Sequence, residues 1–132
     1  LPIDWLAVVI AGIASFSLGG LWYSKSLFGA AWMKEKGINE EELNDGNVGK
    51  AMGFGFVIAI IHALMMEVLF NSLGITALMD ALVTGLLVGL GFVGLTMYSD
   101  GLFNRDSDKL SMILVGYRVC YFMIIALALV LI

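Results

Sequence analysis

Four long apolar stretches, separated by three polar connections, occupy nearly all of a 132-residue chain. A hydrocarbon core about 30 Å thick is crossed by roughly 20 residues of helix. Residues 5–23, 51–70, 77–98 and 110–132 meet that length. Lipid offers no partner to a backbone N–H or C=O, so each stretch must satisfy its own and is predicted to be helical. Strands of a membrane barrel alternate apolar and polar side chains, whereas these runs are continuously apolar. The reading is an all-α integral membrane protein, a four-helix bundle in a single domain over 1–132. Its first partner is the lipid bilayer.

Composition supports this. Apolar residues make up 61% of the chain and charged residues 14%, against about 45–50% and about 25% in soluble domains. The net charge of −4 offers no basic surface for nucleic acid. The lone Cys120 falls within the fourth stretch. It allows no intramolecular disulfide, and burial among apolar residues is expected to leave its thiol inert. The first stretch has no basic leader and no small-residue cleavage site, so it reads as a retained helix. Both ends are apolar, which reads as a record lacking a few flanking residues.

Basic residues orient such a chain. Lys25, Lys34, Lys36 and Lys50 lie in the first connection, and Arg105 and Lys109 in the third; the second connection and both ends carry none. Connections one and three are expected in the cytoplasm of a bacterial inner membrane, with both termini outside. The second connection, residues 71–76, is short enough to make the second and third helices antiparallel neighbours. Asn71 and Gly74 suit a helix end, and Thr76 suits a cap. In the first connection, Leu27, Phe28, Ala31 and Trp32 recur at helical spacing. They predict a short amphipathic helix on the membrane surface, ended by Gly37. Residues 40–44 read either as a further helical turn or as a solvated acidic loop.

Ionisable groups within hydrocarbon are costly and need explaining. They are His62, Glu67, Asp80 and Arg118. At 1.5 Å per residue, Glu67 lies about 25 Å from the inner face and Asp80 about 6 Å from the outer one. The two carboxylates thus share a depth. They either face one another, as a proton or cation relay would require, or meet the outer interface separately. Arg118, about 13 Å from the inner face, stays charged. It reads as an interhelical pin to Asp100 or to Trp22-Tyr23-Ser24, or as an anion or substrate contact, with Tyr117 and Tyr121 flanking it. His62 is the only histidine. One imidazole makes no metal cluster, and Glu67 leaves the helix about 140° away, so no metal and no cofactor is expected. Ser15, Ser17, Ser24 and Ser26 lack a histidine base in any recognisable motif. There is no HExxH, no CxxC and no phosphate-binding glycine loop, so no enzyme is expected.

Small residues recur more systematically. Ala77, Ala81, Gly85 and Gly89 are four apart, and Gly12, Gly19, Gly20, Gly49, Gly53, Gly55 and Gly116 fall in or near the other helices. Such faces let helix backbones approach closely where lipid supplies no hydrophobic drive. Their uses are packing within the chain, oligomerisation and, less readily, lining a pore.

The run Gly20-Leu21-Trp22-Tyr23-Ser24, followed by Leu27-Phe28-Gly29 and Trp32, resembles the opening signature of the bacterial membrane family catalogued as domain of unknown function 1761. Leu114-Val-Gly-Tyr-Arg resembles that family's closing helix. The resemblance implies four spans and no established activity. Physically, Trp22, Tyr23, Ser24, Phe28 and Trp32 form an elbow against which Gly116-Tyr117-Arg118 is expected to dock. The favoured role is a non-catalytic packing unit, either a homo-oligomer or an accessory subunit of a membrane complex. The alternative is a small channel or carrier for protons, ions or a small solute, using Glu67, Asp80 and Arg118.

Overall fold

The computed structural model describes residues 2–43 and 46–132. Among them it contains helices and no strand: α1 (Trp5–Trp22), α2 (Gly29–Lys36), α3 (Glu40–Leu43), α4 (Gly46–Leu73), α5 (Leu78–Leu86), a π-helical stretch (Leu87–Gly94), α6 (Leu95–Phe103) and α7 (Asp108–Leu131). Four helices are long and apolar enough to cross a membrane: Trp5–Trp22, Asn47–Leu73, Leu78–Phe103 and Asp108–Leu131. The second and third are longer than hydropathy alone marks. A 28-residue α4 rises about 42 Å, more than hydrocarbon requires. Its first turns extend back past Lys50 to Gly46.

Each helix end has a local cause. Asp4 caps α1, accepting a hydrogen bond from the Ala7 N–H at 3.1 Å. At the end of α2, Gly37 adopts φ 72°, and the Ile38 N–H donates to the Met33 carbonyl at 3.1 Å. At the end of α4, Gly74 adopts φ 68°, and the Ile75 N–H donates to the Phe70 carbonyl at 2.9 Å. These are Schellman closures, which favour glycine because a Cβ is penalised at positive φ. Ala77, not Thr76, occupies the cap of α5, with no side-chain hydrogen bond. The Gly74 closure uses the link and leaves Thr76 one residue short of the cap position. The turn at 40–44 is helical over Glu40–Leu43, and Asn44 lies outside the described residues.

Packing order differs from chain order. α1 packs on α4 and α7, and α7 also packs on α2, α5, the π-stretch and α6. The second and third spans are not a packed pair, contrary to the expectation from their short link. The reason lies in the third span's small residues, which face α7. A Cβ on Gly85 would lie 2.9 Å from the Ala126 Cβ, and one on Gly89 would lie 3.1 Å from the Phe122 Cβ. Ala81 is fully buried on the same face. The π-stretch extends this face. In an α-helix, residues 89 and 94 would diverge by about 140°; i→i+5 bonding, with more residues per turn, brings them closer to one face. A Cβ on either glycine would meet Val119.

Candidate polar site within the membrane layer

Span four brings Tyr117 and Tyr121, one turn apart, against the small face of span one. Tyr121 is 1% exposed and Ser15 is fully buried. A phenol placed among hydrocarbon must find a hydrogen-bond partner. The Tyr121 hydroxyl lies 2.8 Å from His62 Nδ1. The Tyr117 hydroxyl donates to the Ser15 carbonyl at 3.4 Å. The Ser15 hydroxyl donates to the Gly12 carbonyl at 3.1 Å. Gly19 makes room for this arrangement, since a Cβ there would fall 2.7 Å from the Tyr117 oxygen. One polar cluster thus joins spans one, two and four.

Arg118 stands over this cluster. Its guanidinium carbon lies 4.9 Å from the Tyr117 ring centroid and 4.8 Å from that of Tyr121. Among the described residues no carboxylate comes within ion-pair distance of it; the ion pair found there joins Lys25 and Glu40. The expected pin to Asp100 is absent. Gly101 faces Ser111 of α7, which turns its neighbour Asp100 outward to an exposed position. Just past span one, Tyr23 meets Tyr117 and Trp32 edge to face, each at 5.4 Å between ring centroids. Burial pushes the Tyr23 hydroxyl up to about 12, opposed but not cancelled by Arg118. Tyr23 is therefore a neutral phenol and no counter-ion for Arg118.

The carboxylates fall elsewhere. Glu67 is 8% exposed, with Oε2 buried and unpartnered among the described residues. The carboxylate whose field reaches it is that of Asp4, not Asp80. Asp80 is exposed in the first turn of α5, about 100° around from the Ala81 face that meets α7. Their shared depth does not become a shared site. Nor is Cys120 in the core; it is exposed on α7, on a face that a bilayer would cover. Among the described residues no cluster of His, Cys, Asp or Glu is arranged to hold a metal.

The elbow is well ordered by hydrogen bonds. The Phe28 N–H donates to the Trp22 carbonyl at 3.0 Å, and the Gly29 N–H to the Ser24 carbonyl at 2.9 Å. Trp22 Nε1 donates to the Ile113 carbonyl at 3.1 Å. Its ring lies over Gly116, where a Cβ would come within 3.1 Å. Ser15 carried no signal as a nucleophile. The signal for it was Ala11, Ser15 and Gly19 at four-residue spacing, facing Tyr117 and Tyr121 at the same spacing.

Four helices apolar and long enough to cross a membrane, with no strand among the described residues, define a multi-pass helical membrane protein. The family model described as "Protein of unknown function (DUF1761)" matches residues 6–130. The chain belongs to that family. No curated protein and no solved structure matches it.

Proposed function

We propose that this chain is a non-catalytic membrane protein of the channel or carrier class, and that its solute is a small anion held at Arg118. The supporting observation is a guanidinium stacked on Tyr117 and Tyr121 with no carboxylate at ion-pair distance among the described residues. A charged arginine at the centre of a bilayer costs at least about 2.5–3.5 kcal/mol. A desolvated cation–π contact returns about 2 kcal/mol, so two such contacts offset much of that cost without cancelling the charge. The residual positive charge, in a low-dielectric layer beside His62, favours an anion. Glu67 and Asp80, which motivated a cation relay, take no part. In this proposal the membrane is a bacterial inner membrane, with the basic connections cytoplasmic and both termini outside.

The test is chloride and formate efflux from proteoliposomes. The wild type should exceed protein-free liposomes, Arg118→Gln should fall to that baseline, and Asp80→Asn should match the wild type. Wild-type flux at the baseline, or an Arg118→Gln variant with undiminished flux, rejects the proposal.

The packing-unit reading keeps one specific support. Gly49 and Gly53 form a GxxxG pair on α4, and a Cβ on either would meet nothing within 4 Å. That face allows close approach of a second helix, from another copy or from a larger complex. Native mass measurement of Gly53→Leu tests it: loss of a wild-type oligomer supports this reading, and a wild-type monomer removes it.

A further inference from the structure

Two hollows meet on the elbow side of α7. The larger, about 450 Å³, is walled by Trp22, Phe28, Ile113 and Gly116, with Met112 and Lys109 along its edge. The smaller, about 280 Å³, reaches Gly94 and Tyr98 of the third span and shares Met112 and Gly116 with the first. They adjoin at Met112 and Gly116 of α7, and the larger forms a trough. Lys109 stands at its elbow end, and Tyr98 on the far side of Met112.

The trough is preformed. Trp22 is fixed by its bond to the Ile113 carbonyl and by Phe28, whose ring lies 4.7 Å away. Gly116 supplies the floor because a side chain there would strike Trp22. A volume of about 450 Å³ falls within the roughly 300–1,000 Å³ of small-molecule sites. Apart from Lys109, the walls of the larger hollow are apolar. The charge is confined to one end, at the depth of the helix start. Lys109 is exposed, with no ion pair among the described residues. Among the described residues no carboxylate pairs with it: Glu35 accepts a hydrogen bond from Ser107 at 2.8 Å, and Asp108 leaves the helix about 100° away.

We infer that this trough is a binding site for an anionic phospholipid, with one acyl chain along Met112 and Gly116 and the phosphate at Lys109. Apolar length and terminal charge match such an amphiphile in both shape and sign. Arg118 is not among the lining residues, so this site stands apart from the anion site proposed above.

The test uses delipidated protein in mild detergent, phosphatidylglycerol and phosphatidylcholine of identical chains, and native mass spectrometry. The wild type should retain one phosphatidylglycerol with at least a threefold preference over phosphatidylcholine. Lys109→Gln should lose the preference while keeping some lipid. Met112→Trp fills the trough at a position 73% exposed, so the fold should survive by circular dichroism and the bound lipid should be lost. Met52→Trp, on α4, should retain it. Equal retention of the two lipids by the wild type, or full retention by Met112→Trp, overturns the inference. So does a lipid-free wild-type dimer that Met112→Trp breaks, which would assign the trough to a second copy.

Discussion

His62 Nδ1 and the Tyr121 hydroxyl, 59 residues apart in sequence, lie 2.8 Å from each other. They tie the second span to the fourth across a boundary where those helices pack only lightly. Tyr121→Phe keeps the ring contacts with His62 and Phe122 and removes only the hydroxyl. Interhelical hydrogen bonds in membranes average about 0.6 kcal/mol and reach about 1.7 kcal/mol. The variant should lose stability within that range. A double-mutant cycle with His62→Phe, read by thermal unfolding in detergent, should give a coupling energy of the same size. Additive losses would show that the pair is not coupled.

The third span is held by close packing of glycines on α7. Gly85→Leu would drive a side chain into Ala126, 2.9 Å from where its Cβ must stand. Overpacking of this kind costs about 1–3 kcal/mol. Gly91→Ala meets only Leu87 at 3.9 Å and should leave the melting temperature unchanged or slightly raised. Equal effects from the two substitutions would remove the glycine face as the cause.

Arg105 is the one described non-glycine residue at positive φ, 61°. It closes α6 as Gly37 and Gly74 close theirs, with the Asp106 N–H donating to the Gly101 carbonyl at 2.9 Å. A left-handed conformation costs an L-residue about 1–2 kcal/mol. Arg105→Gly should stabilise by up to about 1 kcal/mol after its larger unfolded-state entropy is deducted. Arg105→Val should destabilise. Thermal unfolding of both variants decides the matter.

Lys25 and Glu40 form an exposed pair at 2.7 Å, joining the elbow to α3. The lysine holds the Glu40 carboxyl below its ordinary value, and the glutamate raises Lys25. A lowered carboxyl supports the pair above its ordinary range, and that support is lost as pH falls through the depressed value. Carboxyl chemical shifts should place the Glu40 midpoint below the ordinary glutamate value. Added salt or Lys25→Ala should move it back up. A midpoint unaffected by Lys25→Ala would show no pairing in solution.

The four spans were legible because lipid leaves a backbone few choices. Runs from Trp5, Ala51, Ala77 and Leu110 announce themselves by composition alone. Their ends were less legible. Helix α4 continues back past Lys50 to Gly46 because a helix outside hydrocarbon need not be apolar. The Gly37 and Gly74 closures were readable, because positive φ selects a residue type. The partner of each helix was not. Gly85 and Gly89 advertise close approach but do not say to which helix, and the link at residues 74–77 pointed to the wrong one. The π-stretch has no apolar period of its own. Arg118 was conspicuous as a charge within the fourth span, yet the match by depth, Asp100, ignores which way a helix is turned. Tyr121 and His62 meet only through the tertiary fold.

Helix α7 supports α1 on one side and the whole third span on the other. It is also the fourth of the four spans to leave the ribosome. At about 5–20 residues per second, its 24 residues take roughly 1–5 s to make. Through that interval the third span has lipid, but no packed helix, for company. Biogenesis of this fold is therefore a process in which the keystone is laid after the spans it holds. A chain stopped near residue 107 should display its third helix to the quality-control proteases of the membrane.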